Sequence, residues 1–411
     1  MRDNLFPPPW FNSAGNRAPS PAARRVHEIC NRAVWRSLGG AERVWAALLS
    51  IVWPATAAAF ALPLWWRNAA AVRRLTGKGA GRQFREIIAL AVRHRIVPKY
   101  YFAFELYLDE HKARAGNYLM RYETKEIAYR LLRPKVQTPG IPIKDKIGFA
   151  HYCAQHGLRA VPLVAAFRDG ARTAEFAGGQ LPERDLFVKP VMSKGGFGAE
   201  RWNWAGNGLY RRTTGDELTG PALVERIANL SRRQPYLMQW AMTNHADLRA
   251  LSVGALCTVR MLSCLDERGV PEVTDAVLRM SINPQSAVDN FHAGGIAAAV
   301  DLATGRLGPA SDLGYGPHFV WHERQPQTGA QIAGRVLPYW AETMALAAKA
   351  HAAFSEWTVI GWDIAILDDG PCLIEGNKGP GIHVIQRCLR RPIGDGRFGI
   401  LLAHHLEQRA L

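Results

Sequence analysis

Residues 361–382 read GWDIAILDDGPCLIEGNKGPGI. Two short apolar runs flank Asp-Asp-Gly, the pattern of a β-hairpin, and three polar groups stand inside them: Asp363, Glu375 and Asn377. The turn falls within Asp368–Pro371. An odd-length loop centred on Asp369, with Gly370 in the left-handed position, sets Asp363 opposite Glu375 on one face. Asn377 then follows on that face two residues on. A two-residue Asp369-Gly370 turn would send Glu375 to the other face. Two close carboxylates repel unless a cation lies between them. Two carboxylates and an amide carbonyl are hard ligands suited to Mg2+ or Mn2+, and magnesium sites take few protein oxygens and leave the rest to substrate phosphates. The competing reading is a solvated hairpin with incidental charges.

A second stretch, DLFVKPVMSKGGFGAERW, puts Lys189 at the end of a strand. Ser193, Gly195, Gly196 and Gly198 follow in a loop before the next strand. Glycines let backbone N–H groups approach phosphate oxygens, and a lysine adds a point charge. The Walker spacing is absent, so an ordinary hairpin turn also accounts for the loop.

Outward from these two stretches the chain alternates short helices with strands that read as mostly antiparallel. A helix in DKIGFAHYCAQHG leads into the strand RAVPLVAAF, and PALVERIANLSR is a helix before the strand PYLMQWA. Strands in LCTVRMLSCL, VTDAVLRMSI and GGIAAAVDL precede a helix over 333–354 and the hairpin. This is an α+β pattern from residue 141 onward. Upstream, 81–96 has helical spacing, and helix is expected to continue to about 132, before a proline-rich linker.

Together these elements resemble the ATP-grasp fold, in which two α+β lobes clasp ATP, here preceded by a mostly helical N-terminal region. Lys146, on the helix before the G-x-x-x-V-P strand, resembles the family's first lysine, and Lys189 its second. The loop 193–198 resembles the one that closes over the triphosphate. YLMQWAM resembles the hinge that holds adenine, through Gln239, Trp240 and Ala241. Asp363, Glu375 and Asn377 match the metal ligands. LCTVRML, LRMSINPQSAVDNFHAGGIAAAVDLATG and the hairpin are most similar to the sugar-transfer-associated ATP-grasp family, and are also similar to the ribosomal-protein glutamate ligases.

The resemblance implies an ATP- and Mg2+-dependent (or Mn2+-dependent) ligase that joins an unidentified carboxylate to an amine or similar acceptor in cell-surface polysaccharide or envelope synthesis. An ATP-grasp phosphotransferase and a non-catalytic nucleotide-binding membrane scaffold are the alternatives. Arg260 and Arg279 would stabilise the transferring phosphoryl group. Asp247 reads as a ribose contact or as a plain surface acid. Asn290 and His292, in VDNFHAGG, read as substrate contacts or as a tight structural loop. Lys378, His383 and Arg387 follow the metal motif and are candidates to face the acceptor. In one respect the chain departs from several such ligases: Gly361 stands where they carry an arginine, two residues before the first acid.

The composition, 48% apolar and 21% charged, is that of a globular protein rather than a disordered or fibrous one. The formal charge of +16 is concentrated: residues 1–140 hold 23 Lys+Arg against 9 Asp+Glu, and the remainder 28 against 26. The basic third points to an anionic partner. A nucleic-acid partner is not expected, because aromatic platforms interleaved with the basic residues are missing. Within that third, VWAALLSIVWPATAAAFALPLWW, residues 44–66, carries no charge and is long enough to cross a bilayer. Flanking arginines and terminal tryptophans suit an interfacial segment; a buried helical hairpin and a true span are the other readings, and Pro54 would kink a continuous helix. The expected divisions are 1–75 (basic tail and apolar segment), 76–140 (helical), 141–235 (first lobe) and 236–400 (second lobe). The expected location is cytoplasmic, with the protein peripheral on the inner face of the cytoplasmic membrane. Six scattered cysteines lack metal-ligand spacing and read as buried thiols.

Overall fold

The computed structural model of the chain describes residues 17–134, 141–174, 180–192, 198–212, 214–284, 289, 294–316 and 319–410. Its strands form two antiparallel sheets. The first contains β1 (Leu163–Arg168), β2 (Ala171–Ala174), β3 (Leu186–Pro190), β4 (Glu200–Gly206), β5 (Leu209–Arg212), β6 (Glu217–Thr219) and β7 (Tyr236–Trp240), in the order β2-β1-β7-β3-β4-β5-β6. The second contains β8 (Thr258–Leu265), β9 (Pro271–Met280), β10 (Ile296–Val300), β11 (Leu307–Ser311), β12 (Val359–Leu367) and β13 (Gly370–Asn377), in the order β11-β10-β9-β8-β12-β13. β7 returns to the middle of the first sheet, and the chain then passes directly into the second.

The second sheet is covered on both faces. Val259 and Met261 of β8 join the core beneath the helices Lys146–Gln155 and Trp340–Ala353. Leu262 and Cys264 of the same strand join the opposite core, beneath the helices Ile382–Leu389 and Arg397–Ala410. Strand β12, between β8 and β13, is therefore buried at all nine positions, so its sequence reads as an apolar run rather than an alternation. The first sheet packs one face on the helix Gly220–Ser231. All six cysteines are buried and unbridged.

The hairpin register has a different cause from the one expected. Leu367 pairs with Gly370, so the turn is the two residues Asp368-Asp369, with Gly370 at φ +113°. Near the turn Ile364 faces Leu373; one step further Asp363 faces Glu375. Ile374 is the extra residue of a β-bulge. The bulge, not an odd-length loop, brings the two acids face to face.

Upstream lie α1 (Pro21–Ser37), α2 (Gly40–Thr76) and α3 (Ala80–His94). α1 packs against the C-terminal helix, and Arg25 pairs with Glu407. Residues 44–66 lie within one continuous helix, α2, that runs through Pro54 and Pro63, so the helical-hairpin reading is not met. The long helix expected up to about 132 is also not formed. Short helical segments replace it, with Glu105 at φ +52°. Tyr100, Tyr101, Phe102, Phe104, Leu106 and Tyr107 are all buried. A regular helix packed by one stripe cannot bury consecutive residues on every side, so the backbone breaks to give each ring a pocket.

Candidate active site

A cleft of about 820 Å³ opens between the two sheets. Phe187 and Lys189 of β3 and Gln239 and Trp240 of β7 line it from the first sheet. Thr258 and Arg260 of β8, Arg279 of β9, Asp363 of β12, and Glu375 and Asn377 of β13 line it from the second. Strand alternation explains the set: Thr258 and Arg260 are two residues apart on one face of β8, and Arg260 pairs across the strands with Asp363.

Asp363 is held at the cleft floor by two guanidinium groups. Arg260 engages both carboxylate oxygens, with Nη2 donating to Oδ2 at 2.9 Å. Arg279 Nη2 lies 3.0 Å from the same Oδ2. Burial pushes the Asp363 carboxyl up, but Arg260 and Arg279 outweigh it and hold it at about 2. Arg279 also donates through Nε to Thr258 Oγ1 at 3.1 Å and lies 3.4 Å from Asp289 Oδ1, while Thr258 Oγ1 donates to Asp289 Oδ2 at 2.5 Å. Burial alone would lower the Arg279 pKa; Asp289, Asp363 and Glu375 raise it instead. Burial raises the Asp289 carboxyl against the pull of Arg279. Neither Thr258 nor Asp289 was singled out from the sequence. Thr258 was within reach of the two-residue alternation from Arg260; Asp289 reaches Arg279 only through a loop between β9 and β10.

Across the cleft, burial brings the Lys189 ammonium down to about 8; neighbouring Lys146 lowers it further, and Glu375 and Asp363 oppose the fall. Lys146 Nζ donates to the Val191 carbonyl at 2.7 Å, and burial lowers its pKa too. Two lysines thus face two carboxylates across one space. Asn377 Nδ2 donates to Glu375 Oε1 at 3.1 Å. Asp363, Glu375 and Asn377 present hard oxygen donors from adjacent strands, a set that fits Mg2+ or Mn2+ completed by phosphate oxygens.

Of the hinge residues, Gln239, Trp240 and Ala241 all line the cleft. The N–H groups of Trp240 and Ala241 donate to the Pro162 and Asp185 carbonyls at 3.4 and 2.9 Å, so neither is a donor to a ligand in this conformation. Gly198 has φ +75°, and a Cβ there would lie 3.1 Å from Pro190 Cγ. Asp247 is not among the residues lining the cleft; its side chain is 67% exposed. Ser193, Gly195, Gly196, Asn290 and His292 lie outside the described residues. Lys378 and His383 line the cleft. Arg387 is buried behind it, donating to the Ala103 carbonyl and to Ser311 Oγ.

Gly361 has a steric reason. A Cβ there would sit 2.6 Å from Pro380 Cβ and 3.5 Å from Arg260 Cδ. The position is closed by the loop after β13, and the stem of Arg260 fills the adjoining space. An arginine is thus present beside Asp363, supplied by β8 rather than β12.

Lys189 from one antiparallel sheet and Lys146 from the helix Lys146–Gln155, facing acids and an amide from the other sheet across an interlobe cleft, define an ATP-grasp protein. The chain belongs to the sugar-transfer associated ATP-grasp family, whose description matches residues 134–390. No curated protein matches the chain. Similar solved structures include the VanG D-Ala:D-Ser ligase from Enterococcus faecalis, at 10% identity and TM-score 0.36 over 66% of this chain and 62% of that one. D-alanyl-alanine synthetase A from Vibrio cholerae O1 biovar eltor str. N16961 gives 10%, 0.35, 65% and 65%. The L-amino acid ligase from Bacillus licheniformis gives 11%, 0.32, 64% and 53%. The chain spans less than two thirds of the length of each of these structures.

Proposed function

We propose that the protein is an ATP-dependent ligase that activates a carboxylate as an acyl phosphate and joins it to an amine or similar nucleophile, on an envelope or surface-polysaccharide precursor. The observation that carries this reading is the opposition of Lys146 and Lys189 to Asp363, Glu375 and Asn377 across one cleft. In the first step a carboxylate oxygen bonds to the γ-phosphorus of ATP, and the bond to the β–γ bridging oxygen breaks with its electron pair leaving on ADP. In the second, the amine nitrogen bonds to the acyl carbon and loses a proton, and phosphate departs with the C–O electron pair. The protein's part is positioning and charge. Lys146 and Lys189 bind the α- and β-phosphates. Arg279 and Arg260 add positive charge where the phosphoryl group passes, and Arg260 also fixes the Asp363 carboxylate. Bound at Asp363, Glu375 and Asn377, a divalent cation would neutralise phosphate charge.

The envelope assignment is supported by the family's description and by α2. That helix is about 55 Å long, and Val44, Trp45, Leu48, Ile51, Phe60, Leu62 and Trp66 are exposed on it. α3 runs alongside, with Trp53 Nε1 donating to the Ala91 carbonyl and Trp65 Nε1 to the Ala80 carbonyl. A bilayer-crossing α2 would carry Arg82, Arg85 and Arg93 of α3 into hydrocarbon, at a cost of about 2.5 kcal/mol or more each. Lying in the interface on the cytoplasmic side, with Arg43 and Arg67 at the headgroups, avoids this.

The test is Glu375→Gln. ATP turnover is expected to be abolished while circular dichroism and the melting temperature stay near those of the parent; full turnover in that variant would overturn the ligase reading. Product analysis separates it from a phosphotransferase: a ligase gives ADP, phosphate and an amide, without a stable phosphoproduct.

A further inference from the structure

We propose that the acid activated in this cleft carries a second anionic group besides the reacting carboxylate, and that the wall formed by residues 121–133 together with Lys144 and Lys378 selects for it. This rests on the ligase reading above.

The end of the cleft beyond Asn377 is lined by Arg121, Lys125, Arg133, Lys144 and Lys378. Arg121, Lys125 and Tyr129 recur every fourth residue, which on helical backbone is one face, Arg133 follows in the bend after Leu131, and all four line the cleft. Like charges at that spacing destabilise a helix, so local stability does not account for the pattern. The backbone is irregular there as well: Glu123–Ala128 is a π-helical turn, a form concentrated at functional sites. Among the described residues the acid lining this end is Glu126, 4.0 Å from Arg130, and Glu356 acts on Lys378 from outside the lining. Arg121, Arg133, Lys144 and Lys378 make the balance facing the ligand positive without counting Lys125. Lys378 follows Asn377 directly, so the basic end begins one residue from the group that would hold the phosphate-bound cation. An acid reacting at a γ-phosphate held beside Asn377 would have this basic end as its other neighbour. Much of the wall precedes residue 134, where the family match begins, so the selectivity would belong to this chain's helical region rather than to the shared nucleotide cleft.

Full-length protein saturated with Mg2+ and adenylyl imidodiphosphate, which fills the γ-phosphate position, is titrated calorimetrically with acetate, malonate and phosphonoacetate at constant ionic strength. Malonate or phosphonoacetate should bind at least about tenfold more tightly than acetate, the sum of several modest ion pairs. Preference for phosphonoacetate names a phosphate as the second group; preference for malonate names a carboxylate. In the triple variant Arg121→Ala/Arg133→Ala/Lys144→Ala, all exposed positions, the preference should disappear while nucleotide affinity is kept, which also reports an intact fold. Equal binding of the three acids, or a preference that survives in the triple variant, would overturn this inference alone. Failure of the parent protein to bind the nucleotide would overturn the ligase reading itself.

Discussion

Arg260 on β8 and Asp363 on β12 face each other across adjacent strands and are joined by two hydrogen bonds at the floor of the cleft. A guanidinium fork matched to a carboxylate fixes orientation as well as charge. With Gly361 closed off by Pro380, this cross-strand pair delivers the arginine that the neighbouring position cannot carry.

That pair sets an acid dependence. The folded-state pKa of Asp363 is depressed to about 2, below the ordinary carboxylate value of about 3.9. Its contribution to stability is therefore fully present above about pH 4 and is lost as pH falls toward 2. Asp363→Asn leaves the part-buried Arg260 guanidinium without the carboxylate it forks and Arg279 with Asp289 alone, and should cost about 3 kcal/mol at pH 7. The gap in urea midpoint between parent and variant should narrow from pH 5 to pH 2.5. A gap constant over that range would show that the ion pair does not act as described.

Lys189 sets a dependence of the same sign in the alkaline range. Its folded-state pKa of about 8 lies below the unfolded value of about 10.4. Between those values the unfolded chain binds more protons, so the nucleotide-free protein gains stability from this group as pH rises from 8 to 10. ATP requires the charged form, so its affinity should fall over the same range. Lys189→Met should remove both trends: the melting temperature loses this pH-dependent increment, and the nucleotide dissociation constant, weaker throughout, loses its alkaline slope.

Replacing Gly361 by arginine, the residue found there in several ATP-grasp ligases, should harm the protein rather than improve it. The new Cβ meets Pro380 Cβ at 2.6 Å, and overpacking of this kind costs roughly 1–3 kcal/mol. Gly361→Ala alone should already lower the melting temperature. Gly361→Arg should not restore turnover to Arg260→Ala. Restoration would mean that the loop at Pro380 yields and that the two positions are interchangeable.

The shared face of Glu375 and Asn377 was legible because strand alternation places every second side chain on one face, and Asp363 opposite Glu375 was expected from an odd-length loop that is not formed. The cause of the pairing was not legible: the sequence does not mark Ile374 as a bulge, which depends on how β13 lies on β12. Lys146 and Lys189 were legible from their neighbours in sequence. Asp289 was not, because its partner Arg279 is reached through tertiary structure alone. The aromatic run from Tyr100 to Tyr107 read as helix by composition, yet burial on every side broke it. Residues 44–66 gave length and charge-free character, but whether they would fold back at Pro54 depended on α3, which packs along them as one uninterrupted helix.

α2 gives a prediction in which stability and surface binding separate. Its buried stripe is narrow: Trp53, Ala57 and Ala61 have no exposure, whereas Trp45, Ile51 and Trp66 are 61%, 73% and 80% exposed. Trp53→Ala removes a buried indole and its bond to the Ala91 carbonyl, and should destabilise the protein by about 3–5 kcal/mol. The triple change Trp45→Ser/Ile51→Ser/Trp66→Ser should leave the melting temperature within a few degrees. It should release the protein from vesicles of mixed phosphatidylcholine and phosphatidylglycerol in a sedimentation assay. Parent binding should weaken with added salt, because the arginines beside the apolar stretch act through a field screened over about 10 Å at 0.1 M. Vesicle binding unchanged in the triple variant would mean that α2 is not the docking face.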